Sequence, residues 1–115
     1  MAAQRWALSN TPGDALFLPA AWQEGFRNFS HRSVYFSEKD MEMMIWNPAA
    51  TGMLLQRQSE MKELGLSSRN QDIRPEQILS FCRAHTIDYV VLPAGRLFPV
   101  APVYINSNWA IYRIP

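Results

Sequence analysis

Short apolar runs alternate along this chain with segments in which apolar residues recur at helical spacing. Residues 15–18 read ALFL, a continuous apolar run typical of a buried parallel strand. Trp22, Phe26 and Phe29 follow at spacings of four and three, which predicts one face of a short helix. Residues 33–37 are rich in β-branched and aromatic side chains, and the crossover before them is long enough for a parallel return. These elements predict a first βαβ unit.

The middle of the chain is predicted to be helical. Apolar residues over 41–64 fit helical packing, with a break at Asn47-Pro48 because the residue before a proline disfavours the helical conformation. We expect a short helix, a break, and a longer helix that ends at Gly65. Another helix begins at Pro75. Its apolar side is formed by Ile78, Leu79, Cys82 and His85.

The last part of the chain predicts strands. Residues 87–92, IDYVVL, form the clearest strand, and a right-handed crossover places it parallel to the others, beside the first. Residues 103–105 and 109–114 flank a short Asn-Ser-Asn turn and predict a terminal antiparallel hairpin. The predicted fold class is α/β. We expect a three-layer, Rossmann-like mixed sheet of about five strands, three parallel and then the hairpin, with helices on its faces.

The composition fits one folded domain over residues 1–115, since 48% of the residues are hydrophobic and 18% are charged. A formal net charge of +1 provides no field that would attract phosphates, so nucleic acid is not an expected partner. No stretch approaches the roughly 18 consecutive apolar residues of a membrane-spanning helix, and the first residues lack the layout of a signal peptide. The abrupt start and end suggest a domain excised from a larger protein.

The sequence offers no motif for catalysis, metal binding or a cofactor. A phosphate-binding loop needs glycines after the first strand, and this chain has proline and alanines there. Cys82 and His85 share a predicted helix face, but two ligands do not complete a zinc site, so we interpret them as a core cysteine beside a half-buried histidine. A Gly-x-Ser-x-Gly nucleophile elbow is missing. We therefore expect no catalytic residue, no metal and no cofactor.

Polar residues gather after the predicted parallel strands, at the edge where open α/β sheets bind ligands. The set is Trp22, Glu24, Arg27, Glu38, Lys39, Asp40, Gly95 and Arg96. It predicts either the rim of an anion site or a solvated edge. A second candidate surface is rich in methionine and suits a protein partner or a bilayer interface. It comprises Met41, Met43, Met44, Trp46 and Met53.

A spaced pattern in the first third of the chain resembles a known family. An Asn-Thr-Pro-x-Asp-Ala segment precedes the first strand, a Phe-Arg element follows it, and Arg-Ser leads into the second strand and a lysine. The residues are Asn10, Thr11, Pro12, Asp14, Ala15, Phe26, Arg27, Arg32, Ser33 and Lys39. This pattern resembles the C-terminal, water-facing α/β domain of bacterial multi-spanning membrane proteins related to the GT-C glycosyltransferases. The chain departs from that family at Ser37, where an acidic residue is common, and before Arg57, where the family often has a tryptophan.

The resemblance implies a non-catalytic accessory domain on the extracytoplasmic, periplasmic face of a membrane protein. Its partner would be the membrane portion of the same chain, which would carry any glycosyltransferase activity, and its ligand a sugar or a lipid phosphate. The residues expected to contact a ligand are Trp22, Arg27, Arg32, Lys39 and Arg96. One alternative is a free-standing, cytoplasmic α/β enzyme or ligand-binding protein with its pocket at the carboxyl ends of the strands. A protein-interaction module that uses the methionine-rich surface is the other.

Overall fold

The computed structural model describes residues 2–23, 25–68 and 72–115, with Asn28 described by its backbone. The helices are α1 (Ala2–Asn10), α2 (Phe26–Ser30), α3 (Met43–Trp46), α4 (Thr51–Leu64) and α5 (Pro75–Ala84). Two 3₁₀ turns lie at Glu38–Glu42 and Pro48–Ala50. The strands are β1 (Leu16–Pro19), β2 (Ser33–Val34), β3 (Tyr89–Pro93), β4 (Tyr104–Ile105) and β5 (Trp109–Arg113).

The strands form one five-stranded mixed sheet in the order β2-β1-β3-β5-β4. β1 is parallel to both β2 and β3, and the register places Phe17 opposite Val34 on one side and Tyr89 on the other. β5 runs antiparallel to β3 and to β4, with Val90 opposite Tyr112. The prediction of an α/β fold built on a mixed five-stranded sheet is confirmed.

Alternation of side chains along the strands divides the core between the two faces of the sheet. One face packs against α4 and α5. Its buried residues include Leu18, Val90, Leu92, Leu54, Met61 and Ile78. The other face packs against α1 and α2. Its buried residues include Phe17, Val91, Ile111, Ala3, Ala7 and Phe26. No helix in the described part of the chain is long and apolar enough to cross a membrane.

The helix boundaries predicted from Asn47-Pro48 and Gly65 are confirmed. Asn47 leaves the helical conformation at φ −140°, ψ 80°, between α3 and the 3₁₀ turn that begins at Pro48. α4 ends at Gly65, whose φ of 80° is the left-handed conformation that favours glycine. The backbone carbonyl of Asp72 occupies the space that a Cβ on this residue would need. Glycine is thus required here by both conformation and space.

Two regions differ from the expectations. α1 was not anticipated, because only the small residues Ala3 and Ala7 mark its buried side. The helix expected over the Trp22-Phe26-Phe29 spacing is shorter, since Trp22 lies in a turn and α2 begins after Gly25, which has φ 74°. Phe29 is consequently exposed over 47% of its surface and does not extend a buried face.

Candidate functional site

The carboxyl ends of the three parallel strands meet at one edge of the sheet, and the turn after β1 lies at its centre. The Ala20 N–H donates to the Val91 carbonyl at 3.2 Å, and the Ala21 N–H donates to the Leu66 carbonyl at 3.0 Å. The Gln23 N–H then donates back to the Ala20 carbonyl at 2.9 Å. Both alanines are buried, so small side chains let the turn pack tightly against β3 and the end of α4. This turn directs Trp22 and Gln23 towards two different clefts.

The first cleft, here called the Gln23 cleft, lies between the carboxyl ends of β1 and β2 and has a volume of ≈ 110 Å³. Its polar lining comes from the turn after β1, from α2 and from the 3₁₀ turn after β2. The lining residues that matter below are Ala21, Gln23, Arg27, Ser37, Glu38 and Lys39.

The Gln23 side chain is the most unusual group in this cleft. Gln23 is only 4% exposed, yet neither its amide nitrogen nor its amide oxygen has a hydrogen-bond partner in the described part of the chain. Buried polar groups in folded proteins are nearly always hydrogen-bonded, and one left unpaired costs about 1–3 kcal/mol. Gln23 belongs to the lining of the cleft, and its two unpaired amide atoms are both closed off from solvent.

The charged groups around the cleft balance one another. The Arg27 guanidinium donates to the buried Asp40 carboxylate, with Nη1–Oδ1 at 2.9 Å and Nη2–Oδ2 at 3.3 Å. Asp40 also accepts from the Ser37 N–H at 3.0 Å, which ties the 3₁₀ turn to the residue that precedes it. Lys39 and Glu38 are exposed on the rim. Two cations thus accompany two carboxylates, and their formal charges cancel.

Arg32 lies outside the Gln23 cleft and is tied to the end of α1. Its guanidinium donates to the Leu8 carbonyl at 2.9 Å, the Thr11 carbonyl at 2.7 Å and the Thr11 hydroxyl at 3.0 Å. That hydroxyl in turn donates to the Ala7 carbonyl at 2.6 Å, and the Asn10 amide donates to the Trp6 carbonyl at 3.0 Å. These side chains satisfy carbonyls that a helix end leaves without partners. The geometry gives Arg32 a structural role, and its binding of a ligand stays a prediction.

Trp22 and Arg96 meet in a second, open depression of ≈ 360 Å³ beside the carboxyl end of β3. Its remaining lining residues are Pro93, Asn108 and Trp109. The rings of Trp22 and Trp109 are 6.4 Å apart at 39°. Of the five predicted ligand residues, Arg27 and Lys39 line the Gln23 cleft, and Trp22 and Arg96 line the second depression. Arg27 also lines a further open depression of ≈ 370 Å³ together with Arg32. Glu24, from the wider predicted rim, lies outside the described residues.

Sequence reasoning missed Gln23 and Trp109. Gln23 follows Trp22, one of the predicted ligand residues, but nothing in the sequence indicates that this glutamine is buried. Trp109 faces Pro93 through the antiparallel register of β3 and β5. That register depends on the length of an irregular loop and cannot be read from local pattern.

Groups suited to catalysis elsewhere are held in structural contacts. Burial raises the pKa of the Cys82 thiol to about 12, so it is protonated at neutral pH and a poor nucleophile. The Tyr35 hydroxyl donates to the Glu60 carboxylate at 2.8 Å, and His85 stacks on Phe81 with ring centroids 4.1 Å apart. Burial, assisted by the Glu60 hydrogen bond, raises the pKa of Tyr35 to about 12. Among the described residues, no three His, Cys, Asp or Glu side chains come together as a metal site.

The structure thus defines a small α/β domain with a polar cleft at the carboxyl edge of its parallel strands. Residues 1–47 match the model of a family described as a domain of unknown function, DUF6798. The matched segment runs from α1 through α3 and contains most of the lining of the Gln23 cleft. No curated protein matches the chain. The comparison with solved structures gives no match either.

Proposed function

We propose that this chain is a non-catalytic accessory domain that binds a small polar ligand, a sugar or a lipid phosphate, in the Gln23 cleft. The observation that carries the proposal is the buried Gln23 amide with neither of its polar atoms paired. We propose that the amide turns towards the cleft when a ligand binds, so that the ligand supplies the missing hydrogen bonds and offsets the cost of the unpaired group.

The resemblance to membrane proteins related to the GT-C glycosyltransferases supplies the proposed context. The domain would belong to a multi-spanning protein, lie on its extracytoplasmic face and contact its membrane portion. We also propose the finer description of the fold, a three-layer, Rossmann-like arrangement, which is supported by α4 and α5 on one face of the sheet and α1 and α2 on the other. In such folds the carboxyl edge of the strands is the usual ligand position.

Replacement of Gln23 by leucine tests the proposal. Without ligand, Gln23→Leu should have a free energy of unfolding about 1 kcal/mol higher than that of the wild type, because it removes two unpaired polar atoms from a buried position. Its urea midpoint should rise accordingly. A sugar or phosphate that binds the wild type at 100 times its Kd should stabilise it by about 2.7 kcal/mol, and this gain should vanish in the variant. Gln56→Leu, at an exposed position of α4, is the matched control.

Two results would contradict the proposal. The first is a Gln23→Leu variant that is less stable than the wild type, since that would mean that the amide already has partners in the folded chain. The second is a wild-type protein whose melting temperature no sugar, amide or phosphate raises.

A protein-interaction module is a second candidate, favoured by the exposure of α3. Ile45 is 77% exposed and Trp46 is 86% exposed, whereas Met41 and Met44 pack on the core. Two adjacent large apolar residues at such exposure are typical of a contact surface. Gel filtration with light scattering tests this candidate: self-association that Trp46→Ser abolishes would support it, and a monomer with and without the substitution would count against self-association.

A further inference from the structure

We infer that the open depression beside the carboxyl end of β3 is a second binding site, whose ligand is a sugar that carries a carboxylate or phosphate group. The depression has a volume of ≈ 360 Å³ and is lined by Trp22, Pro93, Arg96, Asn108 and Trp109. Small-molecule sites typically have volumes of about 300–1,000 Å³, so a sugar can be accommodated. The inference goes beyond the proposed function, because no described residue lines both this depression and the Gln23 cleft.

Two tryptophans form the apolar part of this site. Trp22 and Trp109 are both half-buried, and their ring planes are inclined at 39° with centroids 6.4 Å apart. The face of an indole ring carries partial negative charge, so it attracts the C–H groups of a sugar ring. A flat aromatic ligand can lie parallel to one of these two planes but not to both. The C–H groups of a sugar project in several directions, which suits a pair of tilted rings better.

Arg96 and Asn108 form the polar part of the site. The backbone of Asn108 is fixed, since its N–H donates to the Asn106 side-chain oxygen at 2.8 Å and its carbonyl accepts from the Ala94 N–H at 2.9 Å. Both Arg96 and Asn108 are exposed, and within the described residues neither side chain has a hydrogen-bond or ion-pair partner. The guanidinium can donate two parallel hydrogen bonds to a carboxylate or phosphate. The amide can both donate to and accept from sugar hydroxyls.

The charge of the site favours an anion. Arg96 is the one charged residue among the described lining residues, so no carboxylate of the lining neutralises it. In the Gln23 cleft, by contrast, the Arg27 guanidinium is already bound to Asp40. A quaternary ammonium ion, which tryptophans can also bind, would be repelled by Arg96. An acidic sugar therefore matches the rings, the free amide and the free guanidinium together.

An NMR titration of the full chain tests the inference through the indole N–H signals of its tryptophans. The probes are glucuronate, glucose 1-phosphate, glucose, benzoate and adenosine monophosphate. We expect glucuronate and glucose 1-phosphate to shift the signals of Trp22 and Trp109, and the tighter of the two identifies the anionic group. Glucose should bind about three- to tenfold more weakly, since it lacks the charged hydrogen bonds to Arg96. Trp46, which lies outside the lining and is 86% exposed, is the internal control, and its signal should not move.

Arg96→Gln should reduce the preference for glucuronate over glucose to about one, because the variant keeps hydrogen-bond donors but loses the charge. Arg83→Gln, at an exposed position of α5, should leave the preference unchanged. Equal affinities for glucuronate and glucose in the wild type would overturn the inference, as would an unchanged preference in Arg96→Gln. Tighter binding of benzoate or adenosine monophosphate, or no shift of Trp22 and Trp109 with any probe, would overturn it as well.

The same titration separates this inference from the proposed function. Gln23→Leu should leave the shifts of Trp22 and Trp109 in place, and their loss in that variant would show that the depression is not a separate site. If the sugars shift the side-chain NH₂ signals of Gln23 and leave both indoles unmoved, the inference is wrong and the proposed function stands. If they shift the indoles alone, the inference stands and the proposed function is wrong.

Discussion

Replacing Arg32 with lysine tests whether this residue holds α1 on the sheet. The substitution keeps the positive charge but removes the planar fork that now reaches Leu8, Thr11 and the carbonyls before β2. A lysine ammonium in the same place can reach one of the carbonyls of the α1 end, so at least one partly buried carbonyl loses its partner.

The expected loss follows from the contacts. Three donor–acceptor distances of 3.0 Å or less join the Arg32 guanidinium to Leu8 and Thr11. Hydrogen bonds from a charged donor contribute about 1.5–3 kcal/mol each, and water can replace part of them near the surface. We therefore expect Arg32→Lys to lower the free energy of unfolding by about 2–3 kcal/mol. For a chain of this size that corresponds to a fall of about 8–12 °C in melting temperature.

Urea denaturation followed by circular dichroism measures this loss, and amide hydrogen exchange shows whether α1 loses protection first. Arg83→Lys is the matched control, since Arg83 is exposed on α5 and its side chain makes no hydrogen bond or ion pair within the described ranges. A difference of less than about 0.5 kcal/mol between the two variants would refute the structural role. If Arg32→Lys instead removed ligand binding without loss of stability, Arg32 would be the ligand residue that the family resemblance implies.

Two further predictions concern backbone conformation and the buried thiol. Gly65→Ala should lower the free energy of unfolding by about 2 kcal/mol or more, because φ is 80° at this position and the new Cβ would overlap the Asp72 carbonyl. The control Gly52→Ala, within α4, should raise the free energy of unfolding by about 0.5–1 kcal/mol. Urea denaturation measures both, and equal effects would refute this reasoning. Because burial raises the pKa of Cys82 to about 12, the native thiol should resist DTNB at pH 8 and react only on unfolding. Stability should also fall as the pH rises from about 8.5, where the unfolded thiol ionises, towards 12; rapid labelling of the native protein would contradict this prediction.

The elements that the sequence predicts are those with strong local determinants. Pro48 and Pro75 begin helical segments because a first-turn proline loses no hydrogen bond, and Gly65 ends α4 because it tolerates positive φ. β3 is recognisable because both of its faces are buried, which gives a continuous apolar run. Each of these rests on the residue's own conformation or on its immediate neighbours.

What the sequence does not predict depends on distant partners. α1 buries alanines in the core and its end is held by Arg32, which comes 24 residues after Leu8, so the residues of α1 carry little pattern of their own. The predicted ligand residues fall into separate clefts because distant strands pair. The pairing of β1 with β2 brings Arg27 and Lys39 to Gln23. The pairing of β1 with β3 brings Arg96 to Trp22. A buried, unpaired glutamine has no signature in sequence, because its burial is a property of everything packed around it.

The position of β1 between β2 and β3 also affects how the chain must be handled. One edge of β1 pairs with β2, which follows soon after it in the chain. The other edge pairs with β3 (Tyr89–Pro93), which comes only after α5. Until then Phe17 and Leu18, both wholly buried in the finished sheet, belong to an open strand edge that can pair with another molecule. A nascent or truncated polypeptide that stops before β3 should therefore aggregate rather than yield a smaller folded protein.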